Sequence, residues 1–447
     1  MDPRLAGLAL TSGWVPVTVD VTAVLLMLVV VILSVVDRRR PLRALPIAAG
    51  LGILVGLGLC WLLTDALDLF GVSLSPVSRA WVAAAFGGAG VAIVALARPG
   101  RPRRVLAGLA IPAVLLAGAF GVNADFGQYP TVGSLTGHPV AAPLPGSVLL
   151  AQAVGAPGSR SAAATGPAAP LWRSPASGLS RQQGLLGTVS IPATTSNFPA
   201  RPAYIYLPPA ALVAHPAALP VLILLGGQPG GPANMIESGE VRQSMDAFAA
   251  AHHGLAPIVV APDQLSAPQV NPMCVDSPIG NSATYLTVDV PRWIRDHLTV
   301  ETSPAAWAIG GFSQGGTCSA QFAAAHPGLF GGMIDICGEI APTNGDVRQT
   351  IDRGFGGSTA AYRAALPLTI IAATKPYTDS VAVVACGQFD TLYGAQAHTL
   401  AGALAAAGMR TTLVDAPGTA HDWHTVQWVL RTQLDPIYRH LGLEGVS

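Results

Sequence analysis

The chain has 447 residues, of which 51% are apolar and only 11% charged, against roughly 25% charged in an ordinary soluble domain. Its 24 basic and 24 acidic residues cancel, which excludes a global basic field for nucleic acid. The apolar excess excludes intrinsic disorder and a wholly soluble protein.

That excess is concentrated at the N-terminus. Residues 14–36, 45–63, 80–97 and 105–122 are four apolar runs whose one charged residue is Asp20, near one end of the first. At about 1.5 Å per helical residue, each roughly matches a ~30 Å hydrocarbon core. The loop at 37–43 reads Asp-Arg-Arg-Arg-Pro-Leu-Arg and the loop at 98–104 reads Arg-Pro-Gly-Arg-Pro-Arg-Arg, while the loop between them carries Asp65 and Asp68. Because basic residues are retained in the cytoplasm, both Arg-rich loops are expected inside and both termini outside. The first run lacks a basic leader and an Ala-x-Ala-like site, so a cleavable signal is not expected. Gly52-x-x-x-Gly56 reads either as a close-packing seam or as chance in a glycine-rich span. No span carries the buried charge pairs of a transporter. Residues 1–122 are therefore expected to be a four-span anchor.

Residues 123–183 lack regular periodicity. Their Ala/Pro/Gly/Ser-rich stretch at 141–175 reads as an extended extracytoplasmic linker. From 184 to 443 the pattern becomes alternating α/β. Strand-like runs fall at 188–191, 203–207, 221–225, 257–261, 307–309, 332–336, 381–386 and 411–414. Helical runs fall at 241–252, 283–298, 315–325, 395–408 and 426–440. Strands alternating with helices predict a mostly parallel eight-stranded sheet with helices on both faces, an α/β-hydrolase domain.

Gly311-Phe312-Ser313-Gln314-Gly315 follows one strand-like run and opens a helical one, the setting of a nucleophile elbow. The flanking glycines suit a strand-to-helix turn too tight for a Cβ. A serine nucleophile needs a base and a group that orients it, in the chain order Ser, acid, His. Five histidines follow Ser313: His326, His398, His421, His424 and His440. His421 sits after the last strand-like run and is the candidate base, with His424 its rival. Asp390 follows the penultimate run and is the candidate acid, ahead of Asp335, Asp379 and Asp422. Backbone N–H groups of Gln314 and Gln228 form the expected oxyanion hole, with Gly227 the alternative to Gln228. Each such donor contributes ~3–4 kcal/mol to the transition state.

Together, Leu224-Leu-Gly-Gly-Gln-Pro-Gly230, Gly-Phe-Ser-Gln-Gly, Cys386-Gly-Gln-Phe-Asp390 and Gly418-Thr-Ala-His-Asp-Trp423 resemble the esterase family of α/β-hydrolases. That family includes feruloyl esterases, esterase D and the antigen 85 mycolyltransferases. The segments Asn271-Pro-Met-Cys-Val-Asp-Ser277 and Asp289-Val-Pro-Arg-Trp-Ile294 resemble a membrane-anchored actinobacterial subgroup. Mycolyltransferases use Glu as the acid and an Asp-Gly oxyanion loop, where this chain has Asp390 and Gly226-Gly227. The resemblance implies carboxylic ester hydrolysis through an acyl-enzyme. Its alternative is acyl transfer to a sugar or lipid hydroxyl. A different class altogether is a non-catalytic membrane module built on a relic hydrolase fold.

Cys60 lies in a span, whereas Cys274, Cys318, Cys337 and Cys386 lie in the domain expected outside, where disulfides persist. Cys337 and Cys386 end strands expected to be neighbours, which favours that pairing and leaves Cys274–Cys318. The alternative is four free thiols. No Cys-x-x-Cys occurs, and His421-x-x-His424 without companion ligands makes a poor zinc site, so neither metal nor cofactor is expected. The expected partners are membrane lipids and a small-molecule, lipid or envelope ester.

Overall fold

The computed structural model describes residues 2–36, 43–67, 71–72, 74–138, 141–155 and 183–443. Arg38 to Arg40, Asp68 and residues 156–182 of the expected linker lie outside them. The chain divides into two compact units, 1–138 with 419–424, and 139–418 with 425–447.

The first unit is helical: α1 Trp14–Val36, α2 Ala44–Cys60, α3 Pro76–Leu96 and α4 Arg101–Phe126. All four are long and apolar enough to cross a membrane, with α2 continuing through a wider turn to Ala66. Ser75 caps α3 by accepting from Ser78 N–H at 3.0 Å, with Pro76 in the first turn. Small residues let the helices touch. A Cβ on Gly52 would lie 2.2 Å from the Phe86 carbonyl, and one on Gly56 3.1 Å from Phe86 Cβ. Gly52-x-x-x-Gly56 is thus a packing seam between α2 and α3. Ala92, Ala95, Ala107 and Ala110 are fully buried, while large residues such as Val24 and Leu54 face outward, about two-thirds exposed. The 98–104 loop has a structural task as well. Arg98 donates to the Ser34 carbonyl at 3.0 Å and Arg103 to that of Leu33 at 3.5 Å, completing acceptors that a helix C-terminus leaves open.

The second unit is the predicted eight-stranded sheet. Its strands are β1 Leu185–Val189, β2 Ala203–Leu207, β3 Val221–Leu225, β4 Ile258–Ala261, β5 Trp307–Phe312, β6 Gly332–Ile336, β7 Val381–Gly387 and β8 Arg410–Ala416. Their spatial order is β1-β2-β4-β3-β5-β6-β7-β8. β2 runs antiparallel to both neighbours, and β3 to β8 are parallel. The central strands are apolar throughout because both faces are covered; Val221 to Leu225 are all fully buried. The parallel register carries the C-terminal ends of β3, β5, β7 and β8 to one edge of the sheet.

Three differences from expectation have physical causes. Part of the expected linker is folded: Gly146–Gly155 is helical, and Leu144 N–H donates to the Thr188 carbonyl at 3.0 Å. Gln152 there is buried, donating to the Ala211 carbonyl and accepting from Thr299 N–H at 3.3 Å. The closing helix is two pieces, Trp423–Thr432 and Asp435–His440, because Pro436 suits a first turn and cannot sit in a helix interior. Between β6 and β7 the chain also inserts helices Val347–Phe355, Thr359–Ala364 and Pro367–Thr374, none of them among the expected helical runs.

Candidate active site

Ser313 stands between β5 and the helix Gln314–Ala325, here α5, in the strained conformation φ 56°, ψ −120°. For a residue with a Cβ this is an outlier that its surroundings must enforce. Its N–H donates to the Ile336 carbonyl at 2.8 Å, pinning the turn to the end of β6. A Cβ on Gly311 would lie 2.4 Å from the Gly315 carbonyl, and one on Gly315 would lie 2.4 Å from the Leu225 carbonyl. Both glycines are therefore required by the turn, which is as tight as the sequence predicts.

The loop after β3 lies against the serine. A Cβ on Gly227 would be 3.5 Å from Ser313 Cβ, and half-buried Gln228 follows. Gln314, at the first position of α5, is buried. Its side chain accepts from Gln264 Nε2 at 3.1 Å and donates to Asn271 Oδ1 at 3.1 Å. Gln264 also donates to the Gly226 carbonyl at 2.6 Å, so one amide ties the loop after β3 to the start of α5. Arg201 braces the far side of that loop. It donates to the Gly230 carbonyl at 3.0 Å and pairs with fully buried Asp263 at 2.7 Å. Arg201, Asp263 and Gln264 were missed by sequence reasoning; the only signal was polar Asp263-Gln264 one proline beyond the apolar run of β4.

Asp390 is buried just beyond β7 and accepts Tyr393 N–H at 3.1 Å, capping the helix Thr391–Ala406. Its other oxygen faces Cys386 Sγ at 3.4 Å. Gln388 joins the loops after β7 and β8. Its N–H donates to the Ala416 carbonyl at 3.0 Å, and its Oε1 accepts Gly418 N–H at 2.9 Å. The segment leading to His421 thus leaves β8 directly beside the loop that carries Asp390. His421 itself is buried, 4% exposed, between β8 and the helix Trp423–Thr432. Asp422 accepts Ala420 N–H at 2.7 Å, a brace local to this segment.

The rival residues have other partners. His424 Nε2 donates to the Ala124 carbonyl at 2.8 Å. His398 is exposed, 3.7 Å from Asp415. His326 follows the last residue of α5, and burial lowers its basicity. His440, also lowered by burial, lies 3.0 Å from Arg410 and 3.9 Å from Asp379. Asp335 lies inside β6, where burial pushes its carboxyl up to about 7 despite the Gly338 N–H donated at 2.7 Å.

Of the cysteines, Cys274 and Cys318 are disulfide-bonded. Cys337 and Cys386 are free, which corrects the pairing favoured above: their sulfurs are 3.2 Å apart, within thiol hydrogen-bond reach and beyond a covalent bond. Burial pushes the Cys337 thiol well up. For Cys386 the hydrogen bond with Cys337 acts downward, but burial and the Asp390 carboxylate prevail and raise it. Both stay protonated at neutral pH and are poor nucleophiles.

Residues 199–407 match the family model described as putative esterase. An uncharacterized protein of Corynebacterium glutamicum is 36% identical over 272 residues, 61% of this chain and 60% of the relative. The chain thus covers less than two thirds of that relative's length. Among solved structures, a ferulic acid esterase superposes with TM-score 0.50 at 19% identity, covering 58% of this chain and 99% of its own. An S-formylglutathione hydrolase from Agrobacterium tumefaciens gives TM-score 0.49 at 20% identity over 59% and 97%. At such identities the ferulic acid esterase shows the fold alone.

Proposed function

We propose that this chain, which over residues 199–407 matches the putative esterase family model, is a membrane-anchored serine esterase of the α/β-hydrolase class. The observation that carries the reading is the enforced turn at Ser313, with Gly227 packed against it. A serine held in so costly a conformation, at the head of a helix and beside a glycine loop, is arranged for attack on a carbonyl.

In this reading His421 takes the Ser313 proton as Oγ bonds to the ester carbonyl carbon. Asp390 orients the imidazole and stabilises its protonated form. Negative charge on the carbonyl oxygen is met by the N–H of Gln314 and one from Gly227 or Gln228. Collapse breaks the bond to the alkoxide, which leaves as alcohol with the proton from His421. Water then repeats the sequence on the acyl-enzyme and releases the acid. No metal or cofactor enters these steps.

The Arg-rich loops at 37–43 and 98–104 support an orientation with both termini and the esterase domain outside the cytoplasm, near the outer leaflet. Lipid-linked or envelope acyl and aminoacyl esters are the substrate class that this location favours. The test is labelling of the full chain in detergent by a fluorophosphonate probe. Labelling is expected in the wild type and lost in Ser313→Ala; no labelling of the wild type overturns the reading. Protease access to the domain on intact cells tests the orientation.

A further inference from the structure

The end of α4 is built more elaborately than the end of a span requires. The helix stops at Gly127, φ +69°, whose N–H donates to the Asn123 carbonyl at 2.7 Å. Asn123 then braces the following turn, donating to the Tyr129 carbonyl and accepting Tyr129 N–H, both at 2.9 Å. Beyond it, Leu10 N–H donates to the Pro130 carbonyl at 2.8 Å and Val132 N–H to that of Leu8 at 2.9 Å. Residues 127–132 are held from both sides.

Segment 419–424 is fastened to this platform in three chemically distinct ways. Trp423 Nε1–H donates to Gln128 Oε1 at 2.7 Å. His424 Nε2 donates to the Ala124 carbonyl at 2.8 Å. Gly127 has no Cβ to spare, since one would lie 3.1 Å from Trp423 Cβ. Trp423 is 2% exposed, and a buried indole N–H left without an acceptor is destabilising. These fastenings lie two and three residues beyond His421, and the Asp422 brace to Ala420 stiffens the stretch between.

We propose that Gln128 is a positioning residue that acts through Trp423 to set His421. The proposal rests on the reading of His421 as general base. A misplacement of about 1 Å in a reacting group lowers rate on the order of 10²-fold, so the effect falls on turnover and leaves substrate binding largely alone.

The experiment uses the full chain in detergent micelles, with steady-state turnover of a soluble aryl ester and thermal melts. Gln128→Leu removes the acceptor; kcat is expected to fall about 10- to 100-fold with KM changed less than about twofold. Trp423→Phe removes the donor and keeps the ring, and should match it, with the double variant no worse than either. Gln128→Glu restores an acceptor and should recover kcat to within about threefold, which general damage to the fold would not do. Wild-type kcat in Gln128→Leu, or a loss that Gln128→Glu does not recover, overturns the proposal. His421→Ala separates the two levels. If it retains turnover, the reading of the base has failed. If it abolishes turnover while Gln128→Leu is silent, only the positioning role has failed.

Discussion

The two units use the same apolar alphabet in opposite senses. In the α/β unit, β3 buries Val221 to Leu225 completely; in the helical unit, Val24 and Leu54 face outward while alanines and glycines fill the contacts. One core is made by large side chains interdigitating. The other is made by backbones approaching across small residues, with the large side chains facing outward on helices long and apolar enough to cross a membrane. High apolar content therefore identifies neither unit; the size of the buried residues does.

The sharpest way to separate the units is chemical. Ser313→Ala should lower ester turnover by about 10⁴-fold or more and leave thermal melting of the full chain nearly unchanged, since it removes a single hydroxyl. Activity surviving in that variant would break the assignment of chemistry to the sheet.

The next largest effect is on packing. Leu222→Ala, in the fully buried β3, should destabilise the sheet unit by about 2–5 kcal/mol. Leu54→Ala on outward-facing α2 should change stability by less than about 0.5 kcal/mol. Denaturant melts in matched micelles measure both, and equal losses would contradict the contrast drawn above.

Glycine supplies a finer test. Gly52→Val must displace the Phe86 carbonyl from a Cβ position 2.2 Å away and should weaken α2–α3 packing by about 1–3 kcal/mol. Gly58→Val, where a Cβ meets nothing within 4 Å, is its control and should be near neutral.

A pH effect belongs to the sheet unit. The Asp335 carboxyl is pushed up to about 7 by burial, and its Oδ2 is buried without a hydrogen-bond partner among the described residues. The folded chain thus holds a proton that the unfolded chain has released above about pH 4. Its contribution to stability is complete below that value, declines as pH rises to about 7, and is level above. Asp335→Asn should flatten this slope in melts between pH 4 and 8, and an unaltered slope would refute the protonation.

Much of this architecture was legible in the sequence because it is written in contiguous runs. The four spans are long stretches with few charges, the strands Ala203–Leu207 and Val221–Leu225 are unbroken runs without a charge, and the elbow is a local pattern of sterics. The remainder depends on partners far along the chain. Gln264 reaches Gly226 and Gln314 across 38 and 50 positions, and Trp423 reaches Gln128 across 295. No spacing rule joins such residues. The helix Gly146–Gly155 was hidden for a related reason: it is held by buried Gln152, a residue whose polarity reads as linker. The free state of Cys337 and Cys386 turned on a separation that neighbouring strands alone do not specify.

The three free cysteines divide between the units, Cys60 in the helices and Cys337 with Cys386 in the sheet domain, and all are buried. A thiol so enclosed meets an alkylating reagent only when its surroundings open. Brief pulses of such a reagent, followed by mass spectrometry of the peptides, would time the opening of each unit separately in one unmodified molecule. The chain thus carries its own pair of clocks, one for each unit.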